Sequence, residues 1–455
     1  MSAPLMKSVS GIRGIVGESF TPDLVLKVGS ALASFLGPGV VVLGRDSRPS
    51  GQFIAQILES VLALSGRRVV NLGLVPTPTV GLMIRELQAK GGVMISASHN
   101  PSEWNAFKLF NDLGMFLNAS EMEKFYKFLD QPSVWAKWNK IFTPIAGDET
   151  ESIHLKKILK VVPPRSIKKK KFKVAFDAVN GSGSFFGQRL LEIYGCQVFP
   201  LYCEGDGLFA RGPEPLPENL KDLGKLVLEK KVDLGFALDP DADRLALVDE
   251  NGIPLGEEST LALVVDHLLS LSKKKGKVVV NLSTSKMIDD LAKKYGASVI
   301  RTRVGEINVS RVMKRSDALI GGEGNGGVIA PALHLSRDSL IGMAYILEMM
   351  AFRRKKLSEL KSDLPVYFMK KGKITLSEKK VIKSDFLRKI AGIYQKEKIS
   401  IIDGLRIDFK NEPDFKEGWV HLRKSNTEPI FRIIAEGKTS VQVNKIYQHF
   451  KKLLG

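Results

Sequence analysis

Residues 40–72 read VVVLGRDSRPSGQFIAQILESVLALSGRRVVNL, and this stretch decides the fold class. Val40–Leu43 and Val69–Leu72 are short apolar runs of the kind that form buried strands. Between them, Gln52–Ser65 places its apolar residues at helical spacing. A strand, a helix and a second strand in this order predict a parallel βαβ unit, and therefore an α/β protein.

The same alternation continues along the chain and predicts four domains. The 455 residues are too many for one hydrophobic core. We expect α/β units at 1–140, 165–251 and 252–364, and a smaller α+β domain at 366–455. The first three units share a strand–helix–strand rhythm and a similar size, which suggests a structural repeat. A basic, proline-bearing stretch, Val161–Lys171, is predicted to be a linker.

Composition is that of a globular protein and argues against several classes of partner. Hydrophobic residues make up 44% of the chain and charged residues 26%. The net charge is +19, but no aromatic-interleaved basic strip or zinc-finger spacing indicates nucleic-acid binding. No run of about 18–20 uncharged apolar residues predicts a membrane span, and Met1–Ser10 lacks the pattern of a signal peptide. Cys196 and Cys203 are expected to be reduced thiols, as in a cytoplasmic protein.

A serine-rich turn is the first candidate for chemistry. The strand-like run Gly91–Ile95 ends in Ser96-Ala97-Ser98-His99-Asn100-Pro101, where the proline stops the strand and the turn would present the Ser98 hydroxyl. A turn serine that makes only a local hydrogen bond is the alternative. A serine-hydrolase site is disfavoured, because no G-x-S-x-G motif surrounds Ser98 and the adjacent His99 is poorly placed as its base. Lys108, ten residues downstream, is either a candidate for proton transfer or an ordinary surface lysine.

Three aspartates alternate in Asp239-Pro240-Asp241-Ala242-Asp243-Arg244, directly after a predicted strand. Alternate side chains of an extended segment point to the same side, so we expect the three carboxylates to cluster and to require a cation. Carboxylate oxygens favour Mg²⁺ or Ca²⁺. A calcium EF-hand is disfavoured because Arg244 occupies the loop position that requires glycine, and a solvated acidic turn is the other alternative. Beside a bound Mg²⁺, Arg244 would hold a phosphate oxygen.

Two further loops carry polar groups suited to a sugar phosphate. Residues 321–328 hold five glycines around Glu323 and Asn325, whose donors and acceptors match sugar hydroxyls. Residues 423–432 combine hydroxyls, an amide and arginines, which is typical of a phosphate-binding turn. A flexible surface turn and a plain hairpin turn are the respective alternatives. The candidate ligands of the second loop are Arg423, Ser425, Asn426, Thr427 and Arg432.

Smaller basic motifs lie near strand ends. Arg13 stands between two glycines near the start of the chain. Arg303 follows a predicted strand of the third unit and could face the same cleft as the loops described above. Residues 44–48, Gly-Arg-Asp-Ser-Arg, are predicted to form an ion-paired structural turn rather than a ligand contact.

Together these motifs resemble the four signatures of the α-D-phosphohexomutase family, in the family's order and one per domain. The resemblance covers nearly the whole chain and is carried by residues 96–101, 239–244, 322–326 and 423–429. It implies three similar mixed α/β domains and a C-terminal α+β domain around a central active-site cleft. It also implies an isomerase that moves a phosphoryl group between positions 1 and 6 of a hexose phosphate.

The resemblance further implies a role for each candidate residue. Ser98 would carry the phosphoryl group between turnovers, and a hexose 1,6-bisphosphate would form in the cleft. The ligands of Mg²⁺ would be Asp239, Asp241, Asp243 and the phosphorylated Ser98. The residues around the transferring group would be Lys108 as general acid and base, together with Arg13, Arg244 and His99. The substrate-binding residues would be Glu323, Asn325, Arg303, Arg423, Ser425, Asn426, Thr427 and Arg432.

Three departures from the family pattern leave the sugar open. Asn325 stands where many bacterial members have Ser, Arg303 where some have Lys, and residues 337–339 where many have Asp-Gly. A phosphoglucomutase or phosphomannomutase leads, a phosphoglucosamine mutase is the alternative within the family, and a metal-dependent sugar phosphatase is the alternative outside it. We expect a small-molecule substrate, no nucleic-acid or membrane partner, and a monomer or homodimer.

Overall fold

The computed structural model describes residues 4–273, 275–375, 384–424 and 430–454. Within them the chain forms four sheets, of seven, four, four and five strands, taken in sequence order. The first three sheets mix parallel and antiparallel strands with helices, and the last is wholly antiparallel. The predicted α/β fold with a C-terminal α+β domain is therefore confirmed.

The first sheet is the largest, and its strands run in the order β1-β2-β6-β5-β3-β4-β7. Its strands are β1 (Met6–Ser8), β2 (Gly11–Ile15), β3 (Val40–Arg45), β4 (Arg68–Leu74), β5 (Gly91–Ile95), β6 (Trp104–Asn111) and β7 (Ile145–Ala146). Its helices are α1 (Pro22–Leu36), α2 (Pro49–Leu64), α3 (Thr77–Glu86) and α4 (Ala119–Leu129). Helices α1, α2 and α3 each begin with a proline in the first two positions, where the missing N–H costs no hydrogen bond.

The predicted linker Val161–Lys171 is wrong in part, because helices occupy much of it. Helix α5 (Thr150–Val161) ends at its first residue, and a short helix, α6 (Arg165–Lys168), lies within it. Ile158, Val162 and Ile167 are completely buried in the main hydrophobic core. This apolar face packs the connection against the body of the protein, although its lysines and prolines suggested a solvated segment.

The second and third sheets have the same topology. The second contains β8 (Lys173–Asp177), β9 (Gln197–Leu201), β10 (Leu234–Leu238) and β11 (Leu245–Val248), with helices α7 (Gly183–Ile193) and α8 (Lys221–Lys230). The third contains β12 (Lys277–Asn281), β13 (Ser298–Thr302), β14 (Ile320–Glu323) and β15 (Gly327–Ile329). Its helices are α9 (Glu257–Leu271), α10 (Met287–Lys294), α11 (Glu306–Ser316), α12 (Ser339–Arg353) and α13 (Leu357–Ser362).

A repeat of four strands is common to the first three sheets. The orders β6-β5-β3-β4, β11-β10-β8-β9 and β15-β14-β12-β13 are the same arrangement, with three parallel strands and one antiparallel strand at the same edge. The suspected structural repeat is thus confirmed at the level of topology. In each repeat the loop between the third and fourth strands carries a predicted motif: residues 96–103, 239–244 and 324–326. The repeat therefore presents three different chemistries from one equivalent position.

The last sheet forms a separate, smaller domain with its own apolar core, in the strand order β16-β20-β19-β18-β17. Its strands are β16 (Phe368–Thr375), β17 (Lys398–Ser400), β18 (Leu405–Asp408), β19 (Trp419–Lys424) and β20 (Ile430–Gly437). Its helices are α14 (Ser384–Ile393) and α15 (Ser440–Leu454). This domain contacts the third through polar groups, among them Ser283 Oγ with His421 Nδ1 at 2.9 Å.

Candidate active site

The three aspartates of the loop 239–244 come together in the interior of the protein. Asp239, Asp241 and Asp243 are completely buried, and one carboxylate oxygen of each lies within 4.8 Å of the others. The predicted clustering is therefore present, but the local geometry is a turn rather than an extended segment, because Ala242 adopts a left-handed φ of 54°. The three carboxylates are therefore brought together by a turn and not by alternation along a strand.

This loop is anchored by neighbouring segments of three domains. The Thr77 N–H, at the start of α3, donates to the Asp241 carbonyl at 2.9 Å, and the Thr77 hydroxyl donates to its carboxylate. The Ser182 N–H donates to the Pro240 carbonyl at 2.8 Å, and the Ser339 hydroxyl to the Ala242 carbonyl at 2.7 Å. The aspartates are thus held in place by groups that lie far apart in the sequence.

The electrostatics of the cluster favour a bound cation. Burial, together with repulsion from Asp243 and Asp241, raises the pKa of Asp239 well above its ordinary value. Burial would also raise the pKa of Asp241, but Lys108 and the Thr77 hydroxyl hold it below its usual range. One oxygen each of Asp241 and Asp243 is buried without a hydrogen-bond partner among the described residues. Unpaired, hard oxygen atoms in a carboxylate cluster fit Mg²⁺.

Ser98 lies directly against the aspartates. Its hydroxyl donates to Asp239 Oδ2 at 3.1 Å, although 141 positions separate the two residues in the sequence. The Ser98 backbone has a left-handed φ of 51°, an unfavourable conformation for a residue with a Cβ. The Ser96 hydroxyl accepts from the Ser98 N–H at 2.9 Å and supports this turn. The serine therefore stands in a constrained turn beside a candidate metal site.

Arg48 fixes the same turn from below. Its guanidinium is fully buried, pairs with Asp46 and donates to the carbonyls of Ser98 at 2.8 Å and Asn100 at 2.5 Å. The prediction of an ion-paired structural turn at residues 44–48 is confirmed. In addition, the Arg48 side chain holds the backbone on both sides of His99 by hydrogen bonds to the two carbonyls.

Lys108 and Arg13 reach the cluster from adjacent strands, β6 and β2. The Lys108 Nζ lies 2.5 Å from Asp241 Oδ2 and 3.8 Å from Asp243 Oδ2, so its ammonium group is paired with the aspartates. The Arg13 Nη1 donates to Asn100 Oδ1 at 2.6 Å. Both cations thus adjoin the serine loop and the carboxylate cluster.

His99 and Arg244 share a carboxylate that the sequence did not single out. Glu214 Oε1 accepts from Arg244 Nη1 at 2.5 Å and lies 3.9 Å from His99 Nε2. The His99 Nδ1 is 3.2 Å from the Ser98 hydroxyl. Burial and the nearby cations Arg244, Arg13 and Lys108 hold the pKa of His99 well below its ordinary value, so the imidazole is neutral at neutral pH.

The glycine-rich loop brings Glu323 and Asn325 to the same region. Glu323 Oε1 accepts from Asn281 Nδ2 at 2.7 Å and from the Gly305 N–H at 2.9 Å. The Asn325 Oδ1 is buried without a hydrogen-bond partner within the described part of the chain. Gly326 has a φ of 84° and lies so close to the Leu245 carbonyl that a Cβ would stand 2.4 Å from its oxygen. Only glycine permits this contact between the sugar loop and the metal loop.

The remaining candidates lie on the third and fourth domains. Arg303 is exposed directly after β13. Arg423 and Arg432 face each other on β19 and β20, at the base of a hairpin, and the Arg423 guanidinium lies 3.8 Å from Asp403. The other candidates of residues 423–432 lie outside the described residues: Ser425, Asn426 and Thr427.

A buried carboxylate beneath the sugar loop gives a testable pH dependence. Burial raises the pKa of Glu258 from 4.5 to about 8, and its Oε1 has no hydrogen-bond partner among the described residues. At a pH between these two pKa values, Glu258 keeps its proton in the folded state and releases it in the unfolded chain. The free energy of unfolding therefore falls as the pH rises. Glu258→Gln should abolish this fall, and above pH 8 the variant should be more stable by roughly 3–5 kcal/mol.

Urea unfolding of both proteins from pH 4 to pH 9 measures this effect. The exposed Glu229→Gln is the matched control and should follow the parent protein throughout. Parallel stability curves for the parent and Glu258→Gln would show that Glu258 does not titrate in this way.

Three residues at the site were not among the predicted site residues. Thr77, Glu214 and Arg337 all contact the loop 239–244, and they belong to a helix start, an irregular loop and a helix N-terminus. Thr77 follows a proline, which marks the start of a helix but not its neighbours in space. No local pattern could have placed the three residues together.

Comparison with known proteins shows the family to which the chain belongs. Sequence profiles of the phosphoglucomutase/phosphomannomutase family match the alpha/beta/alpha domains I, II and III at residues 5–133, 152–252 and 257–367, and the C-terminal domain at 373–453. The chain belongs to this family. As an α-D-phosphohexomutase it is an enzyme of the isomerase class. None of the helices among the described residues has the length and apolar character to cross a membrane.

The names of the relatives differ in the sugar phosphate that they specify. A Thermococcus kodakarensis protein named "Phosphoglucomutase/phosphomannomutase" is 38% identical over 455 residues, with 98% of this chain and 97% of that protein covered. A Methanopyrus kandleri protein named "Probable phosphoglucosamine mutase" is 34% identical over 445 residues, with coverage of 97% and 96%. The solved structure of a phosphoglucomutase/phosphomannomutase family protein from Burkholderia thailandensis has a TM-score of 0.84 at 25% identity, covering 99% of this chain and 98% of that one.

Proposed function

We propose that this phosphohexomutase transfers a phosphoryl group between positions 1 and 6 of glucose or mannose phosphate, through phosphorylated Ser98 and a hexose 1,6-bisphosphate. The observation that carries the proposal is the hydrogen bond of 3.1 Å from the Ser98 hydroxyl to Asp239, within a buried carboxylate cluster. A hydroxyl beside a candidate metal site is where a phosphoryl group can be both held and neutralised.

The reaction exchanges one phosphate ester for another. The bond between Ser98 Oγ and phosphorus breaks while a bond forms between phosphorus and a hydroxyl oxygen of the sugar. The sugar hydroxyl loses a proton and Ser98 Oγ gains one, and we assign both proton movements to Lys108. After the bisphosphate turns over in the cleft, the same steps in reverse return its other phosphoryl group to Ser98.

The chain's own groups neutralise the charge that moves. Asp239, Asp241, Asp243 and an oxygen of the phosphorylated Ser98 would hold Mg²⁺, with the unpaired oxygens of Asp241 and Asp243 available to it. Bound there, Mg²⁺ would supply charge neutralisation for phosphoryl transfer. Arg13 and Arg244 stand beside the serine loop and the metal loop, where they can hold the oxygens of the transferring group.

The sugar and its second phosphate would be bound by the third and fourth domains. Glu323 and Asn325 lie on the loop that we assign to the sugar, and the unpaired Asn325 Oδ1 can accept a hydrogen bond from a hydroxyl. Arg423 and Arg432 flank the hairpin that we assign to the distal phosphate, with Arg303 at the neighbouring strand end. The undescribed Ser425, Asn426 and Thr427 remain part of this proposal.

The hydrogen bonds that Glu323 already accepts favour a neutral hexose over glucosamine. Its two oxygens already accept from Asn281, the Gly305 N–H and Arg337, which leaves little capacity for the ammonium group of an amino sugar. The phosphoglucosamine mutase alternative is supported by the name of the Methanopyrus kandleri relative.

Rates with three substrates distinguish these possibilities. With Mg²⁺ and a trace of bisphosphate, we expect glucose 1-phosphate and mannose 1-phosphate to give their 6-phosphates at least about tenfold faster than glucosamine 1-phosphate. A faster reaction of glucosamine 1-phosphate would instead assign the amino sugar. Release of free phosphate without any 6-phosphate product would indicate a phosphatase and contradict the mutase.

A further inference from the structure

Arg337 connects three carboxylates that come from three different segments. Its Nη2 lies 2.5 Å from Asp243 Oδ2 in the metal loop, and its Nη1 lies 3.2 Å from Glu323 Oε2 in the sugar loop. Its Nε and its backbone N–H each donate at 3.0 Å to Glu306, the first residue of α11. Every nitrogen of the guanidinium is therefore used, and one of its partners is a proposed metal ligand.

The position of Arg337 is built into the surrounding fold. The residue is 8% exposed, and a Cβ on Gly327 would lie 2.3 Å from its side chain, so the glycine makes room for it. Burial raises the pKa of Glu306 to about 7, and Asp243 and Glu323 add to this rise while Arg337 opposes it. Without the guanidinium, three carboxylates would face one another away from water.

The backbone that carries Arg337 is also fixed. The adjacent Asp338 accepts from His154 at 2.9 Å and from His334 at 2.8 Å through one oxygen, and its other oxygen caps α12. The Ser336 N–H donates to His334 Nδ1 at 3.1 Å, so the proton of this imidazole is on Nε2 and points at Asp338. These hydrogen bonds use the polar groups of the cluster to fix the backbone next to Arg337, and we therefore do not interpret the cluster as a second metal site.

We propose that Arg337 is a positioning residue that couples the metal loop to the sugar loop, so that occupation of one site strengthens binding at the other. The inference rests on the proposed function. A cation bound by Asp243 would compete with Arg337 for the same carboxylate. The guanidinium would then interact more strongly with Glu323, and this stronger interaction would stabilise the sugar loop. Linkage requires the sugar phosphate to strengthen cation binding by the same factor.

Lysine cannot replace this arrangement. Its single ammonium group is a point charge, whereas the planar guanidinium reaches carboxylates in three directions at once. Arg353 lies outside this cluster, because its guanidinium pairs with Asp266. Arg353→Lys is therefore a control for the loss of a partly buried arginine contact.

The test is a calorimetric titration of Mg²⁺ in a Ser98→Ala background, with and without saturating glucose 1-phosphate. We expect Arg337→Gln to bind Mg²⁺ about tenfold more tightly in the absence of sugar phosphate, because a competing cation is removed from Asp243. The factor by which glucose 1-phosphate strengthens Mg²⁺ binding should fall about tenfold. Arg353→Lys should leave both quantities unchanged.

Each other outcome is decisive. Unchanged Mg²⁺ affinity and coupling in Arg337→Gln, with only a lower melting temperature, would show that Arg337 is merely structural. If that variant fails to fold, Arg337→Lys decides by the same measurement, with a severalfold loss of coupling expected and full coupling overturning the proposal. Absence of Mg²⁺ binding both in Ser98→Ala and in the protein with Ser98 intact would instead contradict the proposed function.

Discussion

Replacing Ser98 with alanine is expected to abolish turnover while leaving the protein folded. The Ser98 hydroxyl is the group that would carry the phosphoryl group, so its loss should lower kcat by about four orders of magnitude or more. The structural cost is small, because among the described residues the hydroxyl forms hydrogen-bonding contacts only with Asp239 and His99. We expect the free energy of unfolding to change by about 1 kcal/mol.

Transfer of label from a ³²P-labelled hexose 1,6-bisphosphate measures the role of Ser98 directly. The parent protein should acquire acid-stable label and Ser98→Ala should acquire none. Ser60→Ala, at an exposed position on α2, is the matched control and should behave as the parent does. Substantial activity or labelling in Ser98→Ala would refute the phosphoserine mechanism.

The strands and the chemistry-bearing loops were predictable because their signals are local. The apolar run Leu234–Leu238 is the observed strand β10, and the aspartates follow it directly. Alternating strands and helices restrict the topology, since a parallel βαβ unit has few arrangements. These features depend on neighbours in the sequence, and a single sequence contains that information.

The groups that complete the site were not predictable, because long-range packing brings them there. Thr77 reaches Asp241 across 164 positions, and Arg337 reaches Asp243 across 94. The turn at Ala242 was also missed, since a non-glycine residue with positive φ is imposed by its surroundings. Arg48 was predictable in part. Its ion pair with Asp46 is local in the sequence, whereas its hydrogen bond to the Ser98 carbonyl is not.

Replacing Asp239 with asparagine should remove function and stabilise the metal-free protein. Asp239 is completely buried beside two other carboxylates, so its ionised form is costly unless a cation is bound. Asparagine keeps an acceptor for the N–H groups of Asp243 and Arg244, which now bind Asp239 Oδ1 at 3.0 and 3.1 Å. We expect turnover to fall by about three orders of magnitude, while the metal-free protein gains on the order of 1 kcal/mol at pH 8.

Melting curves with and without Mg²⁺ separate these two effects. The parent should melt at a higher temperature in Mg²⁺, because a ligand that binds only the folded state stabilises it. Asp239→Asn should start from a higher melting temperature without the metal and gain nothing when Mg²⁺ is added. Asp222→Asn, which removes an exposed carboxylate paired with Lys225, should keep the full Mg²⁺ response. A full Mg²⁺ response in Asp239→Asn would exclude Asp239 as a ligand, whereas a lower starting temperature would show that its carboxylate is stabilising even without the cation.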